Sequence, residues 1–536
     1  MSHPYRGQDI PDSGFYCLPM NSSRLVRFFK KFHKWPGILI AFLAILYALS
    51  GIVLNHREFF SSFDISRKWM PPGFQYSNWN MSAVKGAEQI GADSLLVFGN
   101  IGVWLTDAQM TRFQDFNKGF PRGIDKRKVY ALKQFGDKVV AATHFGLYQT
   151  DSGSPHWERV PLPLKEQRLT DLALKGDSLM VLSRGFILAT SNLKDFSVIQ
   201  LPPPDGYIKQ ASMFQTLWEL HSGELFGLAG RLFVDALGLV LIWLSVSGVV
   251  HFFLPGFIRR RKKSGADNQK LISAKRLNLR WHNLLGYLFA GFLIVNTTAG
   301  IFLRPPLLIP IATKKVGIIP YTHLDSPNPW NDKLRRVVWD ESLGSFIFST
   351  SDGFFAVNEA LDMPPIPLPY QPPVSVMGLN IFEPMGQATY LVGSFTGMYV
   401  WNLGSNRIFD FVSGQPLGGV PASGRPIGTH MAAGWIMNQS GHAWWFDYNH
   451  GAVALEATPD FPAMGAEIVK KSPISWWNAA LEVHTGRIFE HLLGPLYILI
   501  VPLAGLSMII VLVSGFLMWW LGFRKIKVKG YKSPST

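Results

Sequence analysis

Long apolar runs alternate along this 536-residue chain with long segments of short, interrupted apolar stretches. Four runs, at 35–55, 236–258, 283–303 and 491–523, contain no Asp, Glu, Lys or Arg. About 20 mostly apolar residues cross a bilayer as a helix, so the pattern predicts four membrane spans. The fourth run is longer than one crossing needs and holds Pro495 and Pro502, which predicts a kink or an interfacial first turn. No small-residue cleavage site follows the first run, so it is expected to stay as an anchor. The division expected is a leader at 1–34 and spans at 35–56, 231–258, 283–303 and 491–523. Long segments at 57–230 and 304–490, a loop at 259–282 and a tail at 524–536 make up the rest.

The two long segments are rich in Gly, Pro and short alternating runs, which predicts strands and turns. Residues 94–107 (SLLVFGNIGVWLTD), 138–150 (KVVAATHFGLYQT) and 178–191 (SLMVLSRGFILATS) each read as strand, Gly-containing turn, strand. The cadence returns at 345–358, 389–401 and 442–455. Hairpins about 40 residues apart are what propeller blades or stacked meanders produce. Three per segment would build one shared domain or two smaller ones. The fold class expected is therefore an integral membrane four-helix bundle with a β-rich, propeller-like domain or domains. No phosphate-cradling or dinucleotide fingerprint interrupts these segments.

Composition and charge then remove several function classes. Only 16% of residues are charged, against roughly 25% in an ordinary soluble protein, which excludes a disordered tail and a coiled coil. The single cysteine, Cys17, excludes an intrachain disulfide, a Cys-ligated iron–sulfur cluster and a C-x-x-C-H haem attachment. The net charge of +15 would suit nucleic acid, but it is concentrated beside the spans. The leader, the loop at 259–282 and the tail sum to about +17, leaving the long segments near neutral. Positive flanks face the cytoplasm. Both termini are thus expected inside, both long segments in the periplasm of a bacterial inner membrane, and no nucleic acid as partner.

Seven of the 14 histidines bracket the spans in two layers. His33, His251 and His282 belong to the inner face, and His56, His221, His484 and His491 to the outer. A lone interfacial histidine is ordinarily satisfied by backbone or headgroup, whereas ionisable groups recurring in membrane helices mark ion, proton or cofactor sites. The chain also duplicates itself around them. His33-Lys-Trp-Pro-Gly37, followed by Ser50-Gly51, matches His282-Asn-Leu-Leu-Gly286, followed by Ala299-Gly300. Glu219-Leu-His221-Ser-Gly223 resembles Glu482-Val-His484-Thr-Gly486, and Ser247-Gly248 recurs as Ser514-Gly515. Two parallel halves of span, outer segment and span give a bundle with a pseudo-twofold axis along the membrane normal.

Two imidazoles on facing helices clamp the iron of a b-type haem from either side. Repeat-related pairs, His33 with His282 and His221 with His484, are the first choice of ligands, with two haem b per chain. His56, His251 and His491 come second, and Met518 falls opposite His251 when the Ser-Gly pairs are aligned. Gly37, Gly51, Gly286 and Gly300 either leave room for a macrocycle or let helices pack closely. Arg57, Arg280 and Arg487 are candidate partners for haem propionates, Arg280 being equally explained by the positive-inside rule. His33 and His56 lie about 35 Å apart along a straight helix, so one haem per layer would carry electrons across the bilayer core. His144, His156, His323, His430, His442 and His450 have no ligand spacing and read as surface or turn residues.

The H-x-W-x-G opening at His33, Trp35 and Gly37, and the L-H-S-G-E-L-F-G element at 220–227 with its weaker copy at 483–489, resemble the PepSY-associated transmembrane proteins. That group includes the inner-membrane ferrisiderophore reductases. The resemblance covers the four spans, and it implies a di-haem bundle passing electrons to a ferric chelate or siderophore on the periplasmic side. The long segments depart from the usual PepSY modules. The expected function is an oxidoreductase of ferric-chelate type, with membrane lipid around it and a quinol or a separate cytoplasmic reductase as donor. Two other readings remain open: a metal or proton transporter lined by the histidines, and a membrane-anchored sensor or assembly scaffold.

Overall fold

The computed structural model describes residues 22–375, 378–417 and 428–530. The early leader with Cys17, and the basic side chains that follow the fourth span, lie outside the described residues. The chain divides into two compact units. One takes in the chain up to Leu49, Leu232–Ile309 and the chain from Leu499 on; the other takes in Ser50–Arg231 and Pro310–Ile498.

The helical unit is built from α1 (Ser22–Asn55) together with long helices later in the chain. A short helix α2 (Met213–Ser222) precedes α3 (Gly227–Lys263), which is followed by α4 (Gln269–Phe302). A second short helix, α5 (Trp476–His484), comes before α6 (Ile500–Gly530). Four helical stretches are long and apolar enough to cross a membrane, as the sequence pattern predicts. The helices outrun their apolar runs; α4 begins at Gln269, within the basic loop. No Gly or Pro breaks the run from Gln269 to His282, and its Lys, Arg, Leu and Gln residues favour helix while their charged heads stay in water. In the fourth span, Gly494–Leu499 forms a tight 3-10 turn and the α-helix starts only at Ile500, with Pro502 in its first turn. Proline is tolerated there because the first N–H groups of a helix have no partner within it. Ile40 and Ala44 of α1, Leu237 and Leu244 of α3, Leu293 of α4, and Met508 and Leu512 of α6 make the core of the bundle.

The β-rich unit contains six antiparallel sheets, at 86–115, 129–160, 169–199, 334–367, 379–410 and 432–454. Each is an up-and-down meander of consecutive strands; five of the six predicted hairpins are the middle of a four-stranded sheet, and the sixth is the last two strands of a three-stranded one. The first strands of successive sheets lie side by side, and Ala432–Met437 of the sixth returns beside Gly86–Gly91 of the first. A separate apolar cluster fills each of the six gaps between neighbouring sheets. The ring is closed by Trp79, Trp104, Ile436 and Trp444, all buried between the sixth sheet and the first. Both long segments therefore build one unit. Gly451 turns with φ +83°, and a Cβ there would sit 1.5 Å from the carbonyl oxygen of Asn78, so the turn of the sixth sheet requires glycine.

Two short pairings set the histidine-bearing helices in place. Gln210–Ser212, which leads into α2, pairs with Lys315–Gly317 from the second segment. Ile474–Ser475, which leads into α5, pairs with Asp64–Ile65 from the first. The duplication seen in the sequence is thus repeated in how the two helices are tied.

Candidate functional site

In the helical unit, His33 on α1 and His282 on α4 meet with ring centroids 6.1 Å apart and planes 85° to one another. The Nδ1–H of His33 donates to the carbonyl of Val511 at 2.9 Å. Ser247 Oγ donates to the carbonyl of Leu244 at 3.1 Å, so its oxygen accepts from Nδ1 of His282 at 2.7 Å. Anchoring Nδ1 fixes the tautomer and leaves the Nε2 lone pair of each ring free to bind a metal. His251, on α3, lacks such an anchor: its buried Nδ1 has no hydrogen-bond partner among the described residues.

The β-rich unit holds the second pair. His221, at the end of α2, faces His484, at the end of α5, with centroids 5.8 Å apart and planes 43° to one another. Nδ1 of His484 lies 3.0 Å from Ser50 Oγ. His491 is exposed and turns its Nδ1 to the carbonyl of Ile488, 2.8 Å away on its own turn. His56 stands where α1 gives way to the turn Arg57–Phe60, its carbonyl accepting from Phe60 N–H at 3.1 Å. Both repeat-related pairs expected from the sequence are brought together. Of the arginines, Arg57 reaches Asp125 at 3.4 Å, Arg487 reaches Glu482 at 3.2 Å, and Arg280 is exposed. Two of the three expected propionate partners thus already have a carboxylate of the protein.

Asp125 organises the ground beneath α5. Fully buried, it accepts from Ser61 Oγ at 2.6 Å, Asn478 Nδ2 at 3.0 Å and Lys128 Nζ at 2.8 Å, besides Arg57. Burial alone would raise its pKa, but Lys128 and Arg57 hold the carboxyl well below the usual carboxylate range.

Residues 13–254 match the family model described as the PepSY-associated TM region. This stretch, a little under half of the chain, is similar to a PepSY-associated transmembrane region. It takes in the first two spans, three of the six sheets, and His33, His56, His221 and His251. No curated protein matches the chain. Among solved structures, the chain is similar to the extracellular domain of a hybrid two component system from B. thetaiotaomicron, at 9% identity and TM-score 0.33. That match covers 69% of this chain and 32% of the other. A streptogramin B lyase matches at 8% identity and TM-score 0.33, over 70% of this chain and 95% of the lyase. PorZ, a surface component of the type-IX secretion system of Porphyromonas gingivalis, matches at 10% and 0.30, over 73% and 38%. The chain spans about a third of the length of the first of these.

The PepSY-associated region also carries a device that the sequence marks without explaining. Two of its Ser-Gly pairs, Ser50-Gly51 and Ser247-Gly248, lie against paired histidines, as Ser514-Gly515 does in the second half. A Cβ on Gly51 would stand 3.3 Å from Cε1 of His484, and one on Gly515 2.9 Å from Cε1 of His33; at Gly248 the distance to His282 is 3.6 Å. Two of the serines bond the ring nitrogen; the third, Ser514, donates at 3.0 Å to the same Val511 carbonyl that holds His33. Gly37 and Gly286 have ordinary contacts with Val511 and Leu244, which is helix packing. The recurrence of Ser-Gly was the signal available beforehand; its hydrogen bonds were not.

Proposed function

We propose that this protein is a di-haem electron carrier of the bacterial inner membrane that reduces ferric chelates, siderophore complexes among them, on the periplasmic side. The observation that carries the reading is the twofold occurrence of facing histidines with an anchored Nδ1. An imidazole nitrogen binds a metal at about 2 Å, so two rings gripping one ion from opposite sides stand with centroids about 6 Å apart. Both pairs have that separation, at 6.1 and 5.8 Å. Among the described residues no three His, Cys, Asp or Glu side chains group as a metal site. A bare cation needing three or four protein ligands is served poorly by two, whereas a porphyrin brings four nitrogens of its own.

His33 with His282, and His221 with His484, would hold haem b, which when bound supplies one-electron chemistry at each pair. The serine and carbonyl anchors would keep the imidazoles of His33, His282 and His484 oriented and basic enough to stay ligated. Glycine beside three of the rings lets the supporting helix approach without pushing the ring out of line. Each ferric ion takes one electron, so a quinol giving two electrons and two protons would serve two ferric ions; a separate cytoplasmic reductase could take its place. Lys and Arg flanking the spans support an orientation with both termini inside. The ring of six meandering sheets supports reading the outer unit as a six-bladed propeller that receives the acceptor.

The test is the absorption spectrum of the purified full chain, oxidised and then reduced. About two haems per chain with bands that sharpen on reduction are expected, and colourless protein from haem-replete cells ends the reading. Ser247→Ala leaves His282 Nδ1–H without its acceptor. Loss of such an outer-shell partner typically weakens a metal site 10- to 100-fold, so haem dissociation from the inner pair alone should speed up by about that factor.

A further inference from the structure

One end of the β ring gathers Arg168, Arg184 and Arg335, of which only Arg184 is ion-paired among the described residues. At that end the first strands of five of the six sheets carry a bulge after their first residue, and the unpaired residues include Tyr130, Thr170 and Arg335. A bulge re-aims a side chain and recurs beside binding sites. Arg168 and Arg184 flank the partnered residues Leu169 and Ser183, so the two guanidiniums start from the same strand ends. Arg184 and Arg335 converge on Asp332. The first reaches its carboxylate at 2.8 Å, while the second donates to its backbone carbonyl, also at 2.8 Å, so Arg335 makes no ion pair there and feels the carboxylates of Asp332 and Asp352 only through space.

Arg168 has no hydrogen bond or ion pair among the described residues. Glu166 feels its charge but makes no ion pair there either. Burial and the neighbouring Arg184 bring Arg168 down to about 10 and Arg335 to about 9, the mark of cations crowded together in a partly dry site. His144, on the turn of the second sheet, is pushed down to about 2 by burial, Arg57 and Arg168; it stays neutral and offers hydrogen bonds rather than further charge.

Both histidine helices border this place. Glu219, two residues before His221, holds His323 at 3.4 Å, and His323 lies in the field of Asp332. Trp477, on the helix of His484, stacks 4.0 Å under the guanidinium of Arg57, whose charge bears on His144 and Arg168.

We propose that Arg168 and Arg335, beside the Arg184–Asp332 ion pair, form the binding site for a chelate that presents several carboxylates, their planar guanidinium groups gripping its oxygens. This deepens the reductase reading by giving the acceptor's chemical class: a polycarboxylate ferric complex rather than an uncharged hydroxamate one. The same forks would also fit haem propionates, and the experiment separates the two sources.

Gallium(III) citrate, a redox-inert probe, is titrated into the haem-loaded full chain in lipid nanodiscs and followed by tryptophan quenching. Saturable binding that weakens with salt is expected, at least about tenfold weaker in Arg168→Gln and in Arg335→Gln. Haem content should be unchanged, and an uncharged gallium trihydroxamate should not compete. Arg168→Lys, which keeps the charge and loses the fork, should fall between. Equal binding by wild type and both Gln variants, or equal competition by the uncharged chelate, overturns the assignment. Haem loss in the Gln variants also overturns it, because the arginines then hold propionates. A colourless protein that still binds gallium citrate through Arg168 and Arg335 would sink the electron-transfer reading and leave this site standing.

Discussion

Alanine at His484 is expected to remove one of two haems and leave the other spectrally unchanged. The ring of His484 is one half of the outer pair, 5.8 Å from His221, and both sit on short helices whose entry strands are fixed by pairing to the other segment. With the imidazole gone, His221 would be the one ring of the pair left to hold a haem, and Ser50 would lose its contact with His484 Nδ1. His33→Ala should mirror the result: the inner haem is lost and the outer one kept. Haem-to-protein ratio and the reduced spectrum of each variant check this directly. Reduction of a ferric chelate by membrane vesicles should fall to background in either case, since each variant breaks the same path. Replacing His491, which is exposed and bonded to its own turn, should change neither ratio. Loss of the outer haem there would mean that the ligand pairing is wrong.

The second large effect is one of stability. Asp125→Ala strands Arg57 and Lys128 beside a space that had held their common carboxylate, and it deprives Ser61 and Asn478 of an acceptor. Breaking a buried ion pair by removing one partner costs about 3–5 kcal/mol, because the remaining charge stays buried and uncompensated. Denaturant unfolding of the full chain, followed by tryptophan fluorescence, should place the β-rich unit's midpoint lower by the corresponding amount. Asp125→Asn, which keeps the hydrogen-bond acceptor and loses the charge, should lose less. The sign with pH follows from the depressed pKa. Asp125 contributes its full stabilisation above the ordinary carboxylate range, and that contribution falls away as the solution is acidified below it.

Much of this was legible before any coordinates. The four spans follow from runs without a single charge, and the six hairpins from apolar stretches broken by glycine, because both patterns are local. The two histidine pairs were legible for a different reason: the chain repeats itself, and matching His33 to His282 and His221 to His484 needs no knowledge of geometry. Closure of the ring was not. It depends on Trp79 and Trp104 meeting Ile436 and Trp444 across more than half the chain, and nothing in either stretch names the other. The arginine site was hidden in the same way. Arg168, Arg184 and Arg335 sit at unrelated places in the sequence, in a segment whose net charge is near zero, and only strand register and a bulge bring them together. His323 reads from sequence as a surface residue and is exposed; its bond to Glu219 on the helix of His221 is what the sequence does not show. The Ser-Gly pairs fall between these cases: Ser247-Gly248 and Ser514-Gly515 are visible as a repeat, but nothing in the sequence says that Ser50 and Ser247 hold a ring nitrogen.

Three of the six sheets precede the second and third spans and three follow them, so the ribosome delivers the ring in two instalments. When only the first instalment has been made, Trp79 and Trp104 on one flank and Leu182 and Ile187 on the other still lack the sheets that will cover them. Those faces stay wet until residues 334–454 arrive, after both intervening long helices. Biogenesis of such a chain calls for a holding chaperone, and a product truncated after the third of the four long helices should be cleared by proteolysis rather than accumulate as half a domain.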